Sequence, residues 1–308
     1  MTTALITHPA CLRHEPPPGH PERPARLQSI LTALEADEFR PLLRREAPEA
    51  SLDALARVHD REYAEEVLAA IPSRGVVHFD ADTAASPGSR EAILRAAGAV
   101  VEGVDMVMKG EAKNVFCAVR PPGHHALPDR AMGFCLFNNV AVGAAHAREV
   151  HGLSRVAVID FDVHHGNGTE AMFFGDPSLF YGSTHQWPFY PGTGRPGDRR
   201  PEHIVDLPLP AGTGGAEFRR AFSETMLPAV TTFRPDMIFI SAGFDAHQDD
   251  PLGQMRLVEA DYAWATEELC AIAERQCAGR VVSTLEGGYD LDALARSVRA
   301  HVQALMAA

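Results

Sequence analysis

The sequence predicts a single α/β domain whose parallel sheet is covered by helices on both faces. Three observations lead there. After Gly110, short apolar runs alternate with longer segments of helical periodicity. Those runs are mostly apolar, as strands buried on both faces are. Each is followed at its carboxyl end by a polar motif, and open parallel sheets hold their ligands at that edge. The chain has 308 residues, 45% hydrophobic and 22% charged, which suits one large domain. We find no internal repeat, low-complexity tract or linker that would divide it.

Taken in order, Ala4 to Thr7 is a short apolar strand candidate. Glu15 to Pro24 is a Pro-rich polar loop whose three consecutive prolines exclude a helix. Leu27, Ile30, Leu31 and Leu34 recur at helical spacing and predict an amphipathic helix over Ala25 to Ala36. Ser51 is placed to cap a short helix carrying Leu52 and Leu55, and Tyr63 to Ala70 continues the helical region. Ser86-Pro87 reads as an N-cap followed by proline at the first helical position. The stripe Ile93, Leu94, Ala97, Val100, Val101 and Val104 then extends a helix to Gly110. Strands are expected at Val115–Val119, Val156–Ile159, Leu179–Tyr181, Met237–Ile240 and Val281–Leu285. Helices are expected at Asn139–Val150, Ala216–Phe233 and Glu259–Gln276, with a last one from Leu291 onward.

Composition narrows the function classes. A net charge of −13 argues against a nucleic-acid groove, which needs a basic face, and suits cationic partners or simple solubility. No apolar run approaches the ~18 residues of a membrane span. Met1 to His8 lacks the basic and apolar regions of a secretory signal. The five cysteines (Cys11, Cys117, Cys135, Cys270 and Cys277) include no C-x-x-C pair, so we expect reduced thiols in a cytoplasmic protein.

The segment Arg155 to Glu170 is the most informative. Its apolar run ends in D-F-D-V-H-H-G-N-G, which brings Asp160, Asp162, His164, His165 and Asn167 close together. Alternation along an extended chain turns Asp160, Asp162 and His164 to one side. Two carboxylates and an imidazole converging there would repel or be desolvated without a cation, and a divalent metal resolves that. With Asp245, Asp162 and His164 would make a three-ligand site with open positions, the form of catalytic zinc. Zinc would acidify a water to a pKa of about 7 and polarise a carbonyl. The carboxylate-rich set also admits Fe²⁺, Co²⁺ or Mn²⁺.

The other motifs add acid–base and binding groups. His124 and His125 in R-P-P-G-H-H supply a proton acceptor and a cationic neighbour, with Asp160 and Asn167 available to orient them. Tyr289 in G-G-Y is a donor for a developing oxyanion. Met132-Gly133-Phe134 and Pro188-Phe189-Tyr190 could wall an apolar channel. Neither G-x-S-x-G nor G-x-x-x-x-G-K-[ST] occurs.

With these motifs in place, the chain resembles the zinc-dependent histone deacetylase superfamily of the arginase–deacetylase fold. The matching motifs are G-H-P-E-R-P (19–24), R-P-P-G-H-H (120–125), G-F-C-x-F-N-N (133–139), D-F-D-V-H-H-G-N-G-T-E (160–170), Y-P-G-T-G (190–194), G-F-D-A-H-Q-D-D-P-L-G (243–253) and E-G-G-Y (286–289). The resemblance implies one catalytic domain over residues 1–308 with a central, mostly parallel eight-stranded sheet. It implies zinc on Asp162, His164 and Asp245. His125 would be general base and then acid, with His124 beside it; Asp160 would orient His124, and Asn167 would orient His125. Tyr289 would bind the carbonyl oxygen. Gly133, Phe134 and Tyr190 would line an acyl-lysine tunnel, with Leu252 at its mouth and Arg26 beneath it. Potassium would sit at Asp160, Asp162, His164, Ser183 and Thr184.

Asn167 stands where part of the superfamily has aspartate, which resembles the class II branch and its bacterial relatives. The implied reaction is hydrolysis of an N-ε-acyl-lysine or a similar acylated amine. The alternatives are an acetylpolyamine amidohydrolase, a dimanganese ureohydrolase and a non-catalytic binder of acyl ligands. Leu252 replaces the acidic gate of polyamine-selective eukaryotic members. The sequence implies no nucleic-acid or membrane partner and leaves the oligomeric state open.

Overall fold

A computed structural model describes residues 2–308. Its central sheet contains β1 (Thr3–Thr7), β2 (Leu43–Glu46), β3 (Asn114–Cys117), β4 (Val156–Asp160), β5 (Leu179–Gln186), β6 (Ile204–Leu209), β7 (Met237–Ala242) and β8 (Val281–Leu285). The strand order is β2-β1-β3-β8-β7-β4-β5-β6, and every neighbouring pair is parallel. The eight-stranded α/β expectation therefore holds. β3, β4, β7 and β8 are buried along their whole lengths, which is why they are predominantly apolar.

The main helices are α1 (Pro24–Ala33), α2 (Ser89–Met108), α3 (Asn139–Glu149), α4 (Asn167–Phe173), α5 (Glu259–Cys277) and α6 (Leu291–Ala307). α2 packs on α3 and α5 on α6, and together they flank the sheet. Among the described residues no helix is long and apolar enough to cross a membrane. The five cysteines are buried and unpaired.

Several expectations change. Ser86 does not cap α2: the cap position is Gly88, and the helix starts at Ser89. The Ser86 hydroxyl instead accepts from the Glu15 amide at 3.0 Å, so it serves the N-terminal segment. The helix expected over Ala216–Phe233 is broken by a π-helical turn at Phe222–Met226, after which Leu227–Phe233 resumes with proline in its first turn. Ser183 and Thr184 lie inside β5, not beyond it. β2 and β6, the two edges, are additional: L-R-R-E is exposed throughout and I-V-D-L-P-L contains a proline, a residue that sheets confine largely to edges.

The strand order is what assembles a site. β3, β8, β7 and β4 are consecutive neighbours, although β3 and β8 are far apart in sequence. The loops leaving their carboxyl ends carry His124 and His125, Tyr289, Asp245, and Asp162 with His164. Asp160 itself sits in register between Ser183 of β5 and Ser241 of β7.

Candidate metal-dependent active site

Asp162, His164 and Asp245 converge. His164 Nδ1 lies 3.0 Å from Asp162 Oδ1 and 3.1 Å from Asp245 Oδ2, with both aspartates fully buried. Backbone amides hold the outer lone pairs: Gly287 donates to Asp162 Oδ2 at 2.8 Å, and Val163 donates to Asp245 Oδ1 at 2.8 Å. A Cβ at Gly287 would stand 2.0 Å from Asp245 Oδ2 and 2.5 Å from Asp162 Oδ2, so glycine is required there by close approach. Burial, and then the neighbouring Asp162, push the Asp245 carboxyl up to about 7. The two carboxylates cannot both ionise comfortably without a positive charge between them. One nitrogen and two oxygens meeting within 4.8 Å of one another fit a divalent ion.

The two histidines differ in environment. Their rings are 4.0 Å apart. His124 Nδ1 is 2.9 Å from the Asp160 carboxylate, whereas His125 Nδ1 is 2.8 Å from the Asn167 amide oxygen. Burial works against charge on His124, but Asp160 and Asp162 overcome it and raise its pKa to about 10. His125 is held well below the usual imidazole range by burial and by the charge on His124. These environments favour charge on His124 and disfavour it on His125, and a proton on His125 Nδ1 shared with the Asn167 oxygen would leave its Nε2 lone pair free.

Tyr289 is buried, and burial raises its phenol well above the usual range, so the hydroxyl remains a donor. The Arg26 guanidinium lies 4.6 Å from the centre of its ring and donates to the Gly288 carbonyl at 2.5 Å and the Glu286 carbonyl at 2.6 Å. Phe134 meets Tyr289 edge to face at 6.0 Å, and Tyr190 meets His125 at 5.1 Å. Phe189 stacks on His164 at 5.3 Å. Gly133 and Phe134 both have positive φ, 57° and 69°, and the Phe134 amide donates to Thr83 Oγ1 at 3.0 Å. This strained turn sets Gly133 against the His125 ring. Leu252 is half-buried and joins the site indirectly: Asp250 accepts from its amide at 2.9 Å and from the Tyr289 amide at 2.6 Å. Ser183 Oγ pairs with His185 Nδ1 at 2.9 Å, and the Thr184 hydroxyl is buried without a partner.

Three residues received no role from sequence. Glu286 accepts from the amides of Gly123 (2.7 Å) and His124 (3.2 Å), fixing the backbone of the histidine pair. Asp250 ties the Leu252 loop to the Tyr289 turn. Glu22 is fully buried between Arg120, with Nη2 at 2.7 Å, and Arg26, with Nη1 at 3.1 Å. Each lies in a motif quoted above, and a charged residue in a Gly- or Pro-rich turn was the available signal.

A parallel sheet with a cluster able to hold a metal and a histidine pair at its carboxyl edge suits a hydrolase acting on amide bonds, and the chain belongs to the histone deacetylase family. The Histone deacetylase domain matches residues 20–305. Among relatives, the chain is 39% identical to a histone deacetylase-like amidohydrolase of Pseudomonas aeruginosa, covering 88% of this chain and 73% of that one. It is 37% identical to the human polyamine deacetylase HDAC10, covering 99% of this chain and 48% of the relative. The crystal structure of the HDA15 HD domain superposes with a TM-score of 0.92 at 35% identity, covering 99% of this chain and 88% of that one.

Proposed function

We propose that the whole chain is one catalytic domain that hydrolyses the amide of an N-ε-acyl-lysine side chain or a similar acylated amine. The observation that carries this reading is the different acceptor of each ring in the His124–His125 pair, the Asp160 carboxylate for one and the Asn167 amide oxygen for the other, beside the Asp162–His164–Asp245 cluster. A divalent ion held by those three residues, zinc or else Fe²⁺, Co²⁺ or Mn²⁺, would supply Lewis acidity toward the acyl carbonyl and a water. His125 Nε2 takes the water proton as general base and returns it to the leaving amine as general acid. Asn167 holds the ring in the required tautomer without the charge that a carboxylate would add. His124, paired with Asp160, keeps positive charge beside the developing oxyanion. The Tyr289 hydroxyl donates to that oxygen.

Gly133, Phe134 and Tyr190 would enclose the acyl chain and the aliphatic stem of the substrate, with Leu252 at the mouth. Arg26, already bonded to Glu22 and to the Glu286 and Gly288 carbonyls, would meet a departing carboxylate from beneath. Asp160, Asp162, His164, Ser183 and Thr184 are the proposed potassium site, supported by the register of Asp160 and Ser183. A polyamine substrate is the second reading, favoured by the relative named a polyamine deacetylase and by the net charge of −13; the uncharged Leu252 speaks for lysine.

The test is acetate release by the purified, zinc-loaded protein from an acetyl-lysine peptide and from N-acetylspermidine. Higher kcat/KM on the peptide supports the first reading, and the reverse supports the second. No release from either by metal-loaded protein rejects amide hydrolysis of this type.

A further inference from the structure

A second set of metal-ligating groups converges beneath the loop that carries Tyr190. His165 Nε2 lies 2.6 Å from Glu170 Oε2 and 3.3 Å from Asp206 Oδ1, and the His165 and Asp206 side chains are only 1% and 4% exposed. Despite these short distances, none of the three atoms has hydrogen-bond direction toward a partner. All three lie within 4.8 Å of one another, and donor atoms that are buried, close and without a hydrogen-bond partner are available to share one cation.

The rest of each side chain is committed outward. His165 Nδ1 pairs with Thr193 Oγ1 at 2.7 Å, and a proton donated there leaves the Nε2 lone pair facing the carboxylates. Arg200 Nε lies against the outer oxygens, Glu170 Oε1 at 3.1 Å and Asp206 Oδ2 at 2.5 Å. One nitrogen and two oxygens are therefore left for a cation, with Arg200 hydrogen-bonded to the far oxygen of Glu170 and ion-paired with that of Asp206. A cavity of about 370 Å³, lined in part by Arg130, Met132, His165, Glu170 and Thr193, supplies an entry route.

A third trio shows what the opposite case looks like. Asp105, His146 and His151 also cluster, but Arg57 Nη1 donates to His146 Nδ1 at 3.1 Å. That contact puts the proton on His146 Nε2, which donates to Asp105 at 2.7 Å and is closed to a metal.

From this geometry we infer a second cation site, in which His165, Glu170 and Asp206 bind a divalent transition-metal ion separate from the Asp162–His164–Asp245 cluster. The nitrogen–oxygen donor set suits Zn²⁺, Mn²⁺ or Fe²⁺. A proton on Nε2 is the competing occupant. Because His165 also grips Thr193, the ion fastens the turn just beyond Tyr190 and so stiffens one tunnel wall. The inference does not depend on the substrate or on hydrolysis itself.

The experiment uses the full chain, loaded with ZnCl₂ or with MnCl₂, freed of excess metal and counted by mass spectrometry of the element, alongside anomalous diffraction at the metal edge. The expected result is about two ions per chain, with one anomalous peak about 2.0–2.2 Å from His165 Nε2. Asp206→Asn and His165→Gln should each lower the count to about one. An unchanged count in both variants, or wild-type crystals with no peak at His165, overturns the site. Should the variants fail to fold, the wild-type anomalous map decides alone. Two ions that both vanish in Asp245→Asn, with none at His165, would mean a binuclear catalytic cluster and also overturn it, while leaving amide hydrolysis to be judged by acetate release.

Discussion

The rings of His124 and His125 are 4.0 Å apart, yet their Nδ1 atoms face different acceptors, the Asp160 carboxylate for one and the Asn167 amide for the other. The carboxylate sustains a positive charge on His124. The amide orients His125 without charging it, and the neighbouring cation pushes its pKa further down. The difference between a carboxylate and an amide at two positions therefore favours charge on one member of the histidine pair and not on the other, as the proposed base requires.

Asn167→Asp should convert the base toward the cation. A carboxylate on His125 Nδ1 favours the imidazolium, and the base role proposed for His125 requires the neutral ring. The acidic limb of kcat/KM should therefore move to higher pH by about one unit. A superimposable pH profile from pH 5 to 9 would count against His125 as the base.

Tyr289→Phe removes the donor while leaving the ring that packs against Phe134 and Arg26. Turnover should fall by roughly 10²-fold or more, with KM changed far less. Metal content and thermal stability should stay at wild-type values; an unchanged kcat would reject the donor role.

Gly287→Ala drives a methyl into the Asp162 and Asp245 carboxylates. We expect zinc affinity to fall by at least about 10-fold, because the ligand oxygens must move apart. Competition with a chromophoric chelator measures it, and wild-type affinity would contradict the proposed ligand set.

Metal removal should couple to pH with a definite sign. In metal-free protein the Asp245 carboxyl is raised above its unfolded value of 3.8 to about 7. A raised carboxyl means that the folded state binds more protons, so its contribution to stability falls as pH rises between those values. A cation relieves that loss. The gain in Tm on adding zinc should therefore grow from pH 5 to pH 7, and a constant gain would show that Asp245 is not a ligand.

Glu22→Gln leaves Arg26 and Arg120 buried without their carboxylate. Breaking one partner of a buried ion pair costs about 3–5 kcal/mol. Urea unfolding should show a loss of that order, and a change under about 1 kcal/mol would mean that the backbone carbonyls suffice.

The legibility of this chain follows burial. Val156–Ile159 and Met237–Ile240 read as strands because both of their faces are covered, so every side chain is apolar; Val281–Leu285 is buried as fully but carries Ser283, paired with His301, and Thr284. The edges Leu43–Glu46 and Ile204–Leu209 carry charge or proline, because an edge strand meets solvent and leaves backbone groups unpaired. Ser86-Pro87 had the composition of a cap, but tertiary contact with Glu15 claimed its hydroxyl.

From the order of residues alone came the α/β class, the ligand candidates Asp162, His164 and Asp245, and the histidine pair, since each is a local pattern of type and spacing. Only the folded molecule decided which nitrogen of each histidine faces which acceptor, that Glu286 anchors the pair, that Arg26 braces the turn of Tyr289, and that His165, Glu170 and Asp206 meet. Those relationships join strands that are neighbours in the sheet and distant along the chain. Charge states inside a protein depend on desolvation and on the nearest few ångströms of neighbours, and spacing in a sequence carries neither.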